Sequence, residues 1–194
     1  MQLEFKIQDI DTLKSMQRIQ SMLQHPDHLL KSLGESLLRV NKKRHAQGLA
    51  PDGTPWKPNA KSTYDAYASG LSKSSYGKDG RLNAKGATKV ANKKPLHASG
   101  DMLNSLNYQV ADNELKLGFD GERNAKLAFW HHGGTDPYLI QPLNKRALAF
   151  GGIVVKKVNH PGLTARPLLD MPASDLVLIQ SVVADHLKVV LNRV

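Results

Sequence analysis

The stretch Asn159–Met171, NHPGLTARPLLDM, combines residue types that often bind ligands. Arg166 stands directly before Pro167, and Pro161 and Gly162 form a turn-prone pair ahead of it. An arginine can hold a carboxylate or phosphate through two parallel N–H bonds. A residue before proline is, however, restricted to extended backbone. This stretch, the Arg166 segment, therefore either binds a ligand or fixes the direction of the chain.

Four histidines are the candidate metal ligands, but their arrangement does not favour a metal site. His131 and His132 are adjacent, and neighbouring residues on a helix point to different faces. Neither His97 nor His160 belongs to an HExxH motif or has a carboxylate at ligand spacing. We interpret His131 or His132 as a packing residue at a helix C-cap before the glycines, and we expect neither a metal nor a cofactor.

No motif in the sequence completes a catalytic site. Ser99 and Gly100 lack the strand–Gly-x-Ser-x-Gly–helix context of a nucleophile, and they fit a helix cap instead. The glycines do not occur at Walker or Rossmann spacing, and the acidic residues are too dispersed for a two-metal nuclease. Cysteine is absent, which excludes thiol catalysis and fits a reducing compartment. The sequence therefore predicts a protein that is not an enzyme.

Positive charge is concentrated in one stretch of the chain. The net charge is +10, and nine cations against two aspartates give Lys57–Lys94 a net +7. An excess of positive charge favours polyanions as partners, nucleic acid first. So polar a stretch buries too little apolar surface to offset the entropy of ordering it. We therefore predict a flexible basic arm at about residues 60–94, a long loop that orders on assembly.

The basic arm interleaves tyrosines with lysines, and this pattern leaves two interpretations open. Bases can stack on tyrosines while lysines contact phosphates, but tyrosines also anchor protein interfaces. The candidate polyanion contacts in the arm are Lys73, Lys78, Arg81, Lys85, Lys89, Lys93 and Lys94.

Two amphipathic helices are predicted ahead of the arm, since leucines recur there at helical spacing. Asp11 or Thr12 is the expected cap of the first helix, and Gly48 is expected to close the second. A half-buried strand at Leu3–Ile7 precedes them. Next comes PDGTPWKP, where Gly53 sets a turn and Trp56, between two prolines, can pack onto the helices.

The C-terminal half predicts two β-hairpins, the first turning at Asp112-Asn113 and the second at Gly151-Gly152. A short helix between them stops at Gly133-Gly134, and Pro172 starts the last helix. This order predicts an α+β fold, with a mostly antiparallel sheet of hairpins packed with N-terminal helices and a C-terminal helix. We expect a single domain over residues 1–194. The sequence contains no run of about 18 apolar residues, so it predicts no transmembrane helix.

Several motifs, taken in order, resemble the phage virion morphogenesis (tail-completion) family of Mu-like phages and prophages. They are PDGTPWKP, LHASGDMLNSL, a hairpin, AKLAFWHHGG, and LTARPLLD before a terminal helix. The two leucine-rich helices also match, so the resemblance covers about Asp11–Leu191. Two features depart from the family pattern: the basic arm is longer and more basic, and FWHHGG carries a second histidine. The roles of these two features are not carried over.

The resemblance implies a structural protein that acts in tail completion or head–tail joining. It implies a homo-oligomer, with a hexameric ring as one form, and tail tube, terminator or neck proteins as partners. The protein would be a virion component made in the bacterial cytoplasm, without membrane contact. The alternative is a basic nucleic-acid-binding module that uses the arm, or a non-specific DNA contact within the assembly.

The residues expected to carry structure and assembly are the turn and joint residues of these motifs: Gly53, Trp56, Gly100, Gly133, Gly134, Pro161, Gly162, Arg166 and Pro167. We interpret Arg166 as a positioning residue that pairs with a carboxylate or with free carbonyls at the HHGG helix end. Docking of Arg166 at a subunit boundary is the other interpretation.

Overall fold

The computed structural model of the chain describes residues 9–150 and 153–192. The expected strand at Leu3–Ile7 and the Gly151-Gly152 turn lie outside these residues. The helices are α1 (Ile10–Gln24), α2 (Asp27–Gln47), α3 (Lys61–Ser69), α4 (Ala84–Ala91), α5 (Asp101–Asn104), α6 (Glu122–Gly133) and α7 (Ala173–Leu191). The strands are β1 (Leu106–Ala111), β2 (Glu114–Phe119), β3 (Tyr138–Ile140), β4 (Leu148–Phe150), β5 (Ile153–Val155) and β6 (Val158–His160).

The predicted α+β class is confirmed, with one difference in the strands. Among the described residues they pair two by two, β1 with β2, β3 with β6 and β4 with β5. They do not join into one sheet. The chain divides into two compact units, unit 1 (Met1–Lys42, Leu106–Gly118 and Met171–Val194) and unit 2 (Lys43–Ser105 and Phe119–Asp170). The single domain over residues 1–194 stays a prediction.

In unit 1, α1 packs against α7 and begins earlier than expected. The Asp9 carboxylate accepts hydrogen bonds from the backbone N–H groups of Asp11 at 3.1 Å and Thr12 at 3.3 Å. The prediction that Asp11 or Thr12 caps this helix is wrong. Asp9 lies in extended backbone, so its carboxylate can reach two free amides of the first turn, and Asp11 and Thr12 become helical residues.

The β1–β2 hairpin of unit 1 rests on α2 through one close contact. Asp112 and Asn113 have φ angles of 52° and 61°, as a two-residue type I′ turn requires. The Tyr108 ring lies so close to Gly34 that a Cβ there would overlap it. The Tyr108 hydroxyl donates to Glu35 Oε1 at 3.0 Å. Gly34 therefore leaves room for the aromatic ring on the helix surface.

In unit 2 the core forms around Trp56, as the PDGTPWKP motif predicted. Trp56, Ala50, Ala128 and Leu168 are buried together. The ring of His45, in the last turn of α2, meets Trp56 edge-on with centroids 5.1 Å apart. Because aromatics make up only 6% of the chain, a single tryptophan supplies a large share of this core's apolar area.

The basic arm forms regular structure, so the prediction of a long loop is wrong for these residues. It contains α3, a 3-10 turn at Lys73–Ser75, and α4. Asn83 Oδ1 caps α4 by accepting the Gly86 N–H at 3.0 Å, and Ser75 is fully buried. Capping and a close backbone approach at Gly86 provide the order that apolar burial cannot. Flexibility of the arm before assembly stays a prediction.

The contact between Gly34 and Tyr108 predicts that the usual stabilising effect of a Gly→Ala change in a helix is reversed at Gly34. Gly→Ala inside a helix ordinarily stabilises by up to about 1 kcal/mol. At Gly34 the new methyl must displace the Tyr108 ring, so we expect Gly34→Ala to destabilise by about 1–3 kcal/mol in urea unfolding. In a Tyr108→Ala background the same change is expected to be neutral or stabilising. Destabilisation of equal size in both backgrounds would contradict the contact.

His45 makes the stability of unit 2 depend on pH. Burial, and secondly the nearby His97, lowers the pKa of His45 to about 4, whereas an unfolded histidine titrates near 6.5. The unfolded state therefore binds the proton first, and stability present above about pH 6.5 is lost as the pH falls toward 4. The full shift corresponds to roughly 3 kcal/mol, most of which is lost by pH 4.5. Urea unfolding at pH 7 and pH 4.5 should show a smaller loss for His45→Leu than for the parent chain. An identical loss would assign the pH dependence to other groups.

Candidate functional site

The Arg166 side chain is buried and donates to backbone carbonyls. Its Nε donates to the Lys57 carbonyl at 3.1 Å and its Nη2 to the Pro58 carbonyl at 2.9 Å. The backbone N–H of Arg166 donates to the His131 carbonyl near the end of α6 at 2.7 Å. The sequence predicts a carboxylate or the carbonyls of the HHGG helix end as partners of this side chain, and its positioning role stays a prediction. The guanidinium, however, reaches the end of PDGTPWKP, and only the backbone reaches α6.

Two further hydrogen bonds connect the same three segments. The Trp56 indole Nε1 donates to the Pro167 carbonyl at 2.9 Å. The backbone N–H of Leu168 donates to His132 Nδ1 at 3.2 Å. The PDGTPWKP motif, the end of α6 and the Arg166 segment therefore interlock, and we call this set of contacts the Arg166 joint. His132, near the end of α6, accepts this bond with a side chain that is otherwise exposed.

Two glycines allow the Arg166 segment to lie against the end of α6. Gly134 has φ +75°, and a Cβ there would stand 2.7 Å from the Leu163 carbonyl oxygen. Gly162 has φ +87°, and a Cβ there would overlap the Thr135 carbonyl. Both positions combine a left-handed backbone with a close approach, so only glycine fits. The Thr135 N–H then donates to the Leu163 carbonyl at 3.0 Å, and the Leu163 N–H donates to the Thr135 hydroxyl oxygen at 2.9 Å.

The other predicted assembly glycines lie outside this close approach. Gly53 and Gly100 take positive φ in turns, and Gly100 is the N-cap of α5. Ser99 assists that cap, since its hydroxyl oxygen accepts the Asp101 N–H at 3.4 Å. Gly133 ends α6 with open space around it. The structure thus places Gly134 and Gly162 in the joint and the remaining three at turns or helix ends.

The electrostatics of the joint keep one cation buried and one histidine neutral. Burial lowers the pKa of Arg166, but an arginine stays charged in proteins. Burial, and secondly the charge of Arg166, lowers the pKa of His131. His131 Nδ1 is buried without a hydrogen-bond partner among the described residues. Two fixed carbonyl dipoles stabilise the guanidinium, so its role is to hold the chain.

A cleft of about 600 Å³ lies beside the joint, within unit 2. Its charged walls are Lys93, Lys94, Arg123, Arg166 and a single carboxylate, Asp101. Asp101 is already bonded to the Ser99 hydroxyl at 2.8 Å. Within residues 9–150 and 153–192 no group of three metal-ligating side chains forms. Among the described residues, Asp101 forms no ion pair with a histidine of this cleft.

The predicted polyanion contacts of the basic arm separate into two groups. Lys73, Lys78, Arg81 and Lys85 are exposed. The other three bind within the chain. Lys89 donates to the Ser75 hydroxyl at 3.5 Å, Lys94 to the Ala46 carbonyl at 3.0 Å, and Lys93 to the His97 carbonyl. The arm's tyrosines are also engaged, Tyr67 under Lys93 and Tyr76 with the Ala68 carbonyl.

Sequence reasoning missed two exposed aromatics on α6. The inward face of this helix carries Ala128, which is buried, while Phe129 is 76% exposed and Trp130 45% exposed. Helical spacing could have predicted their exposure, because the residues directly after an inward-facing position point away from the core. Both lie on a helix whose C-terminal end is held by the Arg166 joint.

Comparison with known proteins gives one match. A family model described as the phage virion morphogenesis family matches residues 7–188. No curated protein and no solved structure matches the chain.

The Arg166 joint predicts that charge alone cannot replace the guanidinium. A lysine ammonium lacks the planar fork that reaches two carbonyls. We expect Arg166→Lys to lower the free energy of unfolding by about 1–3 kcal/mol and Arg166→Met by about 2–4 kcal/mol.

The matched control is Arg123, an exposed arginine of the same cleft. There both substitutions should change stability by less than about 0.5 kcal/mol. Urea unfolding followed by Trp fluorescence measures all four variants. Equal effects at the two arginines would refute the positioning role of Arg166.

Proposed function

This chain belongs to the phage virion morphogenesis family, and we propose that it completes the tail or joins the tail to the head as a non-enzymatic subunit. Family membership gives the chain a structural or assembly role in the virion. No described helix is long and apolar enough to cross a membrane. The protein would be made in the bacterial cytoplasm and incorporated into the particle.

The exposed aromatic surface of α6 carries this proposal. Phe129 and Trp130 stand out from the helix, and Phe129 lines a pocket of about 260 Å³ together with Phe119, Ala125, Ala128, His132, Leu168 and Leu169. Exposed aromatics next to an apolar pocket are typical of protein interfaces. Because the Arg166 joint fixes the end of α6, these side chains are presented without a large ordering cost.

We assign this surface to a second copy of the same chain. We assign the contact to the heterologous class, in which the Phe129 patch of one copy, with the pocket that Phe129 lines, meets a different patch on the next copy. Such contacts close into rings when the rotation between neighbours allows it. A hexameric ring at the end of the tail, bound by tail tube, terminator or neck proteins, is the assembly we propose.

The alternative function, nucleic-acid binding through the basic arm, has less support. Three of its seven candidate cations and two of its tyrosines are engaged within the chain. Each of the three ammonium groups thus uses one of its donors within the chain, and Lys93 covers the face of the Tyr67 ring.

Self-assembly is tested with Phe129→Asp and its conservative partner Phe129→Leu. We expect the parent chain and Phe129→Leu to form a closed oligomer in mass photometry and sedimentation velocity. Phe129→Asp should shift the population to monomer, with at least a tenfold weaker association, because it places a charge in an apolar contact. Since Phe129 is mostly exposed, the melting temperature of the monomer should change little.

Two results would count against the proposal. One is a parent chain that stays monomeric when its concentration is raised about 100-fold above that used in mass photometry. Each tenfold step in concentration probes about 1.4 kcal/mol of association free energy. The other is an oligomer that Phe129→Asp leaves intact, which would move the contact to another surface.

A further inference from the structure

Within residues 138–160, the described parts 138–150 and 153–160 form two antiparallel ladders that the proposed function does not use. At its base β3 pairs antiparallel with β6, Tyr138 opposite His160. Farther out β4 pairs antiparallel with β5, Leu148 opposite Val155. The two ladders lie on the same pair of chain segments, with residues 141–147 between them on one side. We call residues 138–160 the basic hairpin.

The charge of this hairpin has one sign. Lys145, Arg146, Lys156 and Lys157 lie within it, and the sequence contains no aspartate or glutamate from Pro137 to Leu169. All four side chains are exposed, and none forms an ion pair with a described residue. The hairpin therefore carries a net +4 that no carboxylate of the described residues neutralises in an ion pair.

Strand register gathers these four cations at one end of the outer ladder. Leu148 and Val155 are opposite each other and close the ladder on that side. Lys145 and Arg146 come three and two residues before Leu148, and Lys156 and Lys157 directly follow Val155. Like charges placed together across two strands destabilise a hairpin. An anionic partner that contacts both strands would reverse this cost.

We propose that the basic hairpin binds the phosphate backbone of duplex DNA. Four cations on a narrow two-stranded ribbon can contact several phosphates at once, and a β-ribbon fits the width of the DNA major groove. Backbone contacts of this kind give affinity without reading sequence. The net +10 of the chain adds long-range attraction for a polyanion.

The surroundings of the cations favour DNA over an acidic protein segment. A peptide site requires a groove that desolvates the carboxylates and fixes their direction. None of the three described clefts includes Lys145, Arg146, Lys156 or Lys157 in its walls. Exposed lysines and arginines without a groove match the way phosphates are contacted along a duplex.

The basic arm provides a control of equal charge. The hairpin variant combines Lys145→Ser, Arg146→Ser, Lys156→Ser and Lys157→Ser. The arm variant combines Lys73→Ser, Lys78→Ser, Arg81→Ser and Lys85→Ser, all exposed residues. Each variant removes three lysines and one arginine, so the two chains have the same net charge and composition. Any difference between them reports the position of the charge.

The measurement is fluorescence anisotropy of a labelled 30-base-pair duplex of arbitrary sequence, titrated between 50 and 200 mM salt. Each phosphate contact contributes about 0.9 to the slope of log affinity against log salt. The hairpin variant should lose at least tenfold in affinity at 100 mM salt, and its slope should fall by roughly three to four. The arm variant should lose no more than about threefold.

Several outcomes would overturn the proposal. These are a parent chain that does not bind the duplex, equal losses in the two variants, or a larger loss in the arm variant. Tighter binding of a polyglutamate peptide than of the duplex would assign the hairpin to an acidic protein. If the quadruple hairpin variant fails to fold by circular dichroism, the double variant Arg146→Ser with Lys157→Ser takes its place, with at least a threefold loss expected. Mass photometry of the variants keeps the result separate from self-assembly.

Discussion

A buried guanidinium held by backbone carbonyls is the interaction on which unit 2 depends. Burying a charge costs several kcal/mol unless hydrogen bonds replace the lost water. Hydrogen bonds from Arg166 to the carbonyls of Lys57 and Pro58 offset this cost. Trp56 in turn donates to the Pro167 carbonyl. Two segments more than 100 residues apart in sequence are thereby fixed to each other. The end of α6 is held between them by the Arg166 N–H.

Both units use close backbone and ring contacts where larger proteins use bulky core residues. In unit 2 the left-handed Gly134 and Gly162 let two loops touch, and in unit 1 Gly34 makes room for the Tyr108 ring. Such contacts are stabilised by dispersion forces, because the contacting atoms are packed at the density of a protein interior. A chain with few aromatics can in this way fix its elements while leaving large apolar side chains, such as Phe129, on the outside.

The sequence predicted those features that depend on local chemistry. Turn residues located the hairpin at Asp112-Asn113 and the start of α7 after Pro172, and helical spacing located α1, α2 and α6. Long-range partners could not be predicted, since the acceptors for Arg166 are backbone carbonyls that carry no side-chain signal. The basic arm was predicted wrongly as a loop because apolar content was taken as the source of order. Its order comes from the Asn83 cap and the buried Ser75. The family followed from the order of several short motifs, none of which is specific alone.

The central claim is that this chain is a structural subunit needed to finish the virion. Electron microscopy of particles, made by a phage carrying the gene and by the same phage with the gene deleted, tests it most directly. The account predicts that deletion leaves filled heads and separate tails, and that supplying the chain in trans restores joined, infectious particles. Normal joined particles in the absence of the chain would contradict it.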